Sequence, residues 1–157
     1  MSNKKIVLYG SLSIIFMITL FFSWYEGSGI RDDTFEWGNS TPFTNFSKQS
    51  ITNPSDISNL DHFVYAAKFN PIYPLIMTLS ILLIVSIALW NQSSIYSMTG
   101  LFILGLILIL ISILNYAPST IGGKYFVSTF IILGIYYVTA SLFFLLRKRI
   151  FVSKIKE

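Results

Sequence analysis

Four stretches of about twenty residues, 6–24, 71–90, 98–116 and 126–146, contain no Asp, Glu, Lys, Arg or His. At about 1.5 Å rise per residue, each stretch as a helix spans a hydrocarbon core of roughly 30 Å. The third run is close to unbroken Leu and Ile from Leu101 to Leu114. Its aliphatic residues each favour insertion by roughly 0.3–0.6 kcal/mol, a sum that Asn115 near its end does not offset. With 54% hydrophobic residues against 11% charged, lipid must cover much of the surface. The expected fold is an all-α four-transmembrane-helix bundle, a single integral membrane domain over 1–157, with a long first outer loop at 25–70.

The first run follows Lys4 and Lys5 and ends in the bulky Phe21, Phe22, Trp24 and Tyr25. Signal-peptide cores are shorter and end at small residues, so this run reads as a retained anchor, with a signal segment cleaved after Gly29 as the alternative. Lys4, Lys5, Arg147, Lys148, Arg149, Lys154 and Lys156 fall on one side of the four spans, and Arg31, Lys48, Lys68 and Lys124 on the other. The excess places both termini in the cytoplasm and the 25–70 loop outside. The tail 147–157 is expected to lie against anionic headgroups of the cytoplasmic leaflet through its five basic residues. The formal charge of +4 arises largely from these flanks and forms no stripe on a soluble face, so nucleic acid is not an expected partner.

The absent residue types narrow the chemistry. There is no cysteine, and a lone His62 builds no metal site by itself. Proton relays and coupled pumps use ionisable groups inside the membrane, and the spans carry none. No catalytic, cofactor or metal residues are assigned. Tyr136 and Tyr137 near the middle of the fourth span, with Asn115, are the candidate intramembrane polar contacts, each needing a partner in hydrocarbon.

The loop 25–70 carries Phe35, Trp37, Phe43 and Phe46, with Gly27, Gly29, Gly38 and Pro42 as turn residues. Trp24, Tyr25, Glu26, Arg31, Asp32, Asp33, Glu36, Trp37 and Phe43 form its candidate interaction site. Glu26, Asp32, Asp33 and Glu36 are oxygen donors of the kind hard cations use, but their spacing matches no EF-hand loop, and solvated or arginine-paired carboxylates are the plainer reading. The second half reads as a short amphipathic helix capped by Ser55, with Asp56 in its first turn and Ile57, Leu60, Val64 and Ala67 on one stripe.

The segment Ser23-Trp24-Tyr25-Glu26-Gly27-Ser28, with Glu36-Trp37 and Ser40-Thr41-Pro42-Phe43-Thr44, resembles the small uncharacterised YjdJ-type membrane proteins of Gram-positive bacilli. The resemblance implies a bacterial plasma membrane and supplies no catalytic residues. The expected role is a non-enzymatic multi-pass protein whose aromatic outer loop binds a membrane-protein partner, a lipid or an envelope component, as a hetero- or homo-oligomer. A small-solute transporter, channel or toxin-immunity component is the alternative. A membrane enzyme using the outer-loop carboxylates is the second.

Overall fold

The computed structural model describes residues 3–47, 51–92 and 94–154, with side chains omitted at 91 and 147–154. The described residues are helical or irregular, with no strand. The helices are α1 (Asn3–Gly27), α2 (Pro42–Ser47), α3 (Asn59–Phe69), α4 (Ile72–Gln92), α5 (Ile95–Leu114) and α6 (Ile121–Lys154). Four of them, α1, α4, α5 and α6, are long and apolar enough to cross a membrane. Two begin ahead of their apolar runs, where hydroxyls supply the caps. Ser94 Oγ accepts the Ser97 amide at 3.1 Å at the start of α5, and Thr120 Oγ1 accepts the Gly123 amide at 3.2 Å at the start of α6.

The chain divides into two compact units. One runs to Leu82 and includes Ser119–Gly123; the other comprises Leu83–Pro118 and the chain from Lys124 onward.

In the first unit the main packing is α3 against α1. The two backbones nearly touch: a Cβ on Gly27 would lie 1.8 Å from the carbonyl oxygen of His62. On another side of α3, a Cβ on Gly122 would lie 1.8 Å from the carbonyl oxygen of Ala67. Only glycine permits either approach, so α3 is gripped at two backbone contacts. Gly27 is thus the last residue of α1 and a packing residue, not a turn.

The amphipathic-helix expectation needs correcting on two counts. Ser58, not Ser55, caps α3, its hydroxyl accepting the Leu60 amide at 3.3 Å, while Pro54–Asp56 form a separate 3-10 turn. The buried face consists of Asp61, His62 and Ala66, and Leu60 is 53% exposed. Backbone proximity at Gly27 and the hydrogen-bonding needs of α2 set that face, and these outweigh the apolar stripe.

In the second unit α5 and α6 meet at a glycine pair. A Cβ on Gly105 would lie 2.9 Å from the Gly134 carbonyl, and one on Gly134 would lie 2.9 Å from the Gly105 carbonyl. Close approach at small residues is how apolar helices associate where lipid offers no hydrophobic drive. Ser112 Oγ adds a bond to the Val127 carbonyl at 3.3 Å.

Candidate functional site

The segment between α1 and α4 is held by polar side chains reaching across it. Asp61, in the first turn of α3, turns its carboxylate onto the start of α2. Its oxygens accept the amides of Phe43 and Thr44, both at 2.9 Å, and the Thr44 hydroxyl at 2.5 Å. These are the amides a short helix leaves unsatisfied at its N-terminus, so a fully buried residue 17 positions along the chain acts as the cap. Thr44 Oγ1 in turn accepts the Ser58 amide at 2.7 Å, which ties the start of α3 into the same knot.

A second knot joins Lys68, late in α3, to the turn before α2. Its ammonium donates to Glu36 at 2.8 Å and to Ser40 Oγ at 2.6 Å, and the Ser40 hydroxyl also donates to Glu36. The Lys68 bond, then the Ser40 bond, hold the Glu36 carboxyl below its ordinary value. Nearby, Tyr65 donates to Asp33 at 3.1 Å. Burial first, then that bond, push the Tyr65 phenol above its ordinary value. The Trp37 indole N–H donates to the Ile30 carbonyl at 2.8 Å, closing the loop 30–37 on itself.

These bonds decide what the candidate interaction residues can present. The carboxylates do not converge: among the described residues no three His, Asp or Glu side chains gather as metal ligands. Asp33 and Glu36 serve α3, while Asp32 is exposed. Arg31 reaches Asn59 at 3.4 Å, and Glu26 lines a separate hollow with Phe69 and Tyr73. Trp37 is fastened inward, whereas Phe43 is 48% exposed, and Phe35 and Phe46 are 91% and 96% exposed. Tyr25 is exposed, and Trp24 sets its ring 5.7 Å from that of His62.

In the second unit Ser86 donates to the Tyr137 hydroxyl at 2.7 Å, and Tyr136 lies exposed beside Tyr137 with ring centroids 5.8 Å apart. Asn115 makes no such cross-helix bond here: it caps α5, its amide donating to the Ile111 carbonyl of its own helix at 2.9 Å. Of the basic tail, Arg147, Lys148, Arg149 and Lys154 continue the α6 backbone, but their side chains, and Lys156 altogether, lie outside the described residues.

Sequence reasoning missed the structural weight of Asp61, His62, Tyr65 and Lys68. One signal was available. Thr41-Pro42-Phe43-Thr44 is a helix start with proline in its first turn, and such a start needs an acceptor.

His62 is the odd member. Its side chain is fully buried between α1 and α3, and neither ring nitrogen has a hydrogen-bond partner; Ser23 Oγ on the facing side of α1 has none either. Burial first, then the charge of Arg31, lower its pKa below the ordinary 6.5, against the opposing pull of the Trp24 backbone and Asp61. The folded chain therefore holds the ring neutral, and the unfolded chain takes up the proton more readily. Stability is intact above pH 6.5 and is lost as pH falls through the lowered folded value. Thermal unfolding of the purified chain is expected to drop by a few degrees between about pH 7 and pH 5, and His62→Phe should flatten that slope. A slope unchanged in the variant would assign the acid sensitivity elsewhere. Glu36, whose ordinary value is 4.5 and whose folded value is lower, loses its contribution only in more acid solution.

Four helices of spanning length, two of them joined through a segment locked by side-chain bonds, fit the class of small multi-span α-helical membrane proteins. Within that class the chain belongs to the family described as a domain of unknown function, DUF4306, whose model matches residues 6–92. It is similar to the uncharacterised protein YjdJ of Bacillus subtilis (strain 168), 31% identical over 88 residues that cover 53% of this chain and 81% of that protein. No solved structure matches it. The matched stretch runs from α1 through α4 and takes in the whole locked segment, whereas α5 and α6 lie outside it.

Proposed function

We propose that this is a non-enzymatic multi-pass protein of a bacterial plasma membrane, with both termini cytoplasmic. Its segment 25–70 is a rigid outer platform that holds aromatic side chains out to a membrane-protein partner. The observation that carries the reading is the contrast within one segment. Asp33, Glu36 and Asp61 are spent on internal bonds, while Phe35 and Phe46 stand 91% and 96% exposed. Large rings held out at that exposure cost solvation unless something covers them, and aromatic anchors carry much of the energy of protein interfaces. The uneven spread of lysine and arginine supports the orientation. The family match supports placing the role in this half of the chain, because it covers the platform.

The test is photo-crosslinking in intact membranes from probes placed at Phe35 and Phe46. A discrete protein adduct is expected at both positions. The double change Phe35→Ala, Phe46→Ala should weaken partner capture by about tenfold or more while leaving the melting temperature unchanged. Adducts to lipid alone, or capture unaffected by the double change, would overturn the partner reading.

A further inference from the structure

The first unit contains a hollow of about 300 Å³ where the end of α1, the end of α3 and the start of α4 come together. Glu26 of α1, Phe69 at the close of α3, the junction residues Asn70 and Pro71, and Ile72 and Tyr73 of α4 line it. Glu26 stands apart from the other carboxylates. Asp33, Glu36, Asp56 and Asp61 all accept hydrogen bonds, and Asp32 is exposed to water. Glu26 is half-buried, and its carboxylate has no hydrogen-bond or ion-pair partner among the described residues. Arg31 reaches Asn59 instead, and Lys68 is committed to Glu36 and Ser40. A charge drawn partly out of water without a partner is costly, and no basic residue lines the hollow to offset it. Two of the other walls are aromatic. Phe22 stacks on the Tyr73 ring at 5.0 Å and Tyr65 lies against the Phe69 ring at 4.8 Å, contacts that hold both rings in place. The hollow also lies at the C-terminal end of α3, the negative end of its dipole. Carboxylate, ring faces and helix end all favour a cation.

From this convergence we infer that the hollow binds an organic ammonium group, its charge on the Glu26 carboxylate and its carbon against Phe69 and Tyr73. A metal ion is a poorer fit, because hard cations take about six or more oxygen ligands and the walls supply one carboxylate. At roughly 30 Å³ for a water-sized group, the volume takes about ten such groups, an amine with the short chain and head that carry it. Two sources offer that chemistry: the headgroup of an aminophospholipid and a free aliphatic amine. Phe69 and Ile72 are also exposed outward, an apolar surface along which the chains of a lipid can run. Only the lipid source rests on α1 and α4 crossing the bilayer, with Glu26 just beyond the apolar run 6–24. Neither source rests on a protein partner at Phe35 and Phe46.

The test compares two lipids that differ at the amine, phosphatidylethanolamine and its uncharged N-acetylated form, titrated onto the detergent-purified full chain and counted by native mass spectrometry. Phosphatidylethanolamine is expected to bind at least about tenfold more tightly, the margin of a charge-assisted hydrogen bond. Glu26→Gln keeps the shape and removes the charge. It should bring the two lipids level and leave the melting temperature unchanged, because no internal bond is lost. Glycerophosphoethanolamine, the same head without acyl chains, assigns the source. Displacement of the lipid at a matching concentration identifies a free amine as the ligand, and displacement only in large excess identifies the lipid. Equal binding of the two lipids by the unaltered chain, a comparison that needs no variant to fold, would overturn the inference. So would a preference for phosphatidylethanolamine that survives Glu26→Gln, or a lowered melting temperature in that variant, which would show the carboxylate holding an internal partner.

Discussion

Gly27→Ala is expected to destabilise the first unit by about 3 kcal/mol or more, far beyond what one added methyl group ordinarily costs. The methyl would sit 1.8 Å from the His62 carbonyl oxygen, 2.4 Å from its carbon and 2.8 Å from its Cα. All three are backbone atoms, so no side chain can swing aside. Nor can α3 back away freely, because Gly122 holds it at Ala67 with the same clearance. The clash begins at Cβ, so alanine and leucine at position 27 should be almost equally damaging, whereas at a volume-limited site the larger residue would be much worse. Gly10 supplies the control: it lies in α1 with nothing within 4 Å of its missing Cβ. Alanine there should be neutral or stabilising, as helix propensity favours it over glycine by about 1 kcal/mol. Melting of the purified chain, together with the rate of tryptic cleavage at Arg31 and Lys68, distinguishes the outcomes. Gly27→Ala that melts with Gly10→Ala would show that α1 and α3 do not pack in this way.

The four helices of spanning length were legible because hydrocarbon demands one thing of a sequence, an uninterrupted apolar run, and each run is long enough to state it. The locked segment was less legible because its organisation is relational. Trp37 read as an aromatic to be offered outward, yet its indole N–H is needed by the Ile30 carbonyl and turns it in. Phe35 and Phe46 lack such a handle and remain outside. The apolar period of α3 favoured Leu60 facing inward, but α2 requires an acceptor at its amides and Asp61 is the residue that reaches them. Gly27 looked like a turn residue because nothing in the local sequence announces a backbone 35 positions away. Periodicity reports which residues avoid water. It does not report which polar residue another element will require.

Asp61 is where that requirement can be measured. Asp61→Ala is expected to leave three donors without their acceptor: the amides of Phe43 and Thr44 and the Thr44 hydroxyl. Each buried orphan costs about 1–3 kcal/mol, and the six-residue α2 has little else to hold it, so its melting is the expected result. Asp61→Asn should fall between, since an amide oxygen can still accept while its NH₂ meets a donor. Thr44→Val removes the hydroxyl that serves both Asp61 and the Ser58 amide, and should cost about as much as Asp61→Asn, while Thr44→Ser should be nearly silent. The ranking is read from hydrogen exchange over residues 42–47 and from thermal melting. It also reaches the proposed function. Asp61 is fully buried and cannot touch a partner, but Phe43 and Phe46 ride on α2. If the platform works by rigidity, Asp61→Ala should abolish crosslinking from Phe46 as completely as removing the ring itself, and crosslinking from Phe35, held by the Trp37 and Glu36 bonds, should survive. Equal loss at both positions would mean that the segment unfolds as one piece, and undiminished crosslinking at Phe46 would mean that its partner needs no ordered α2.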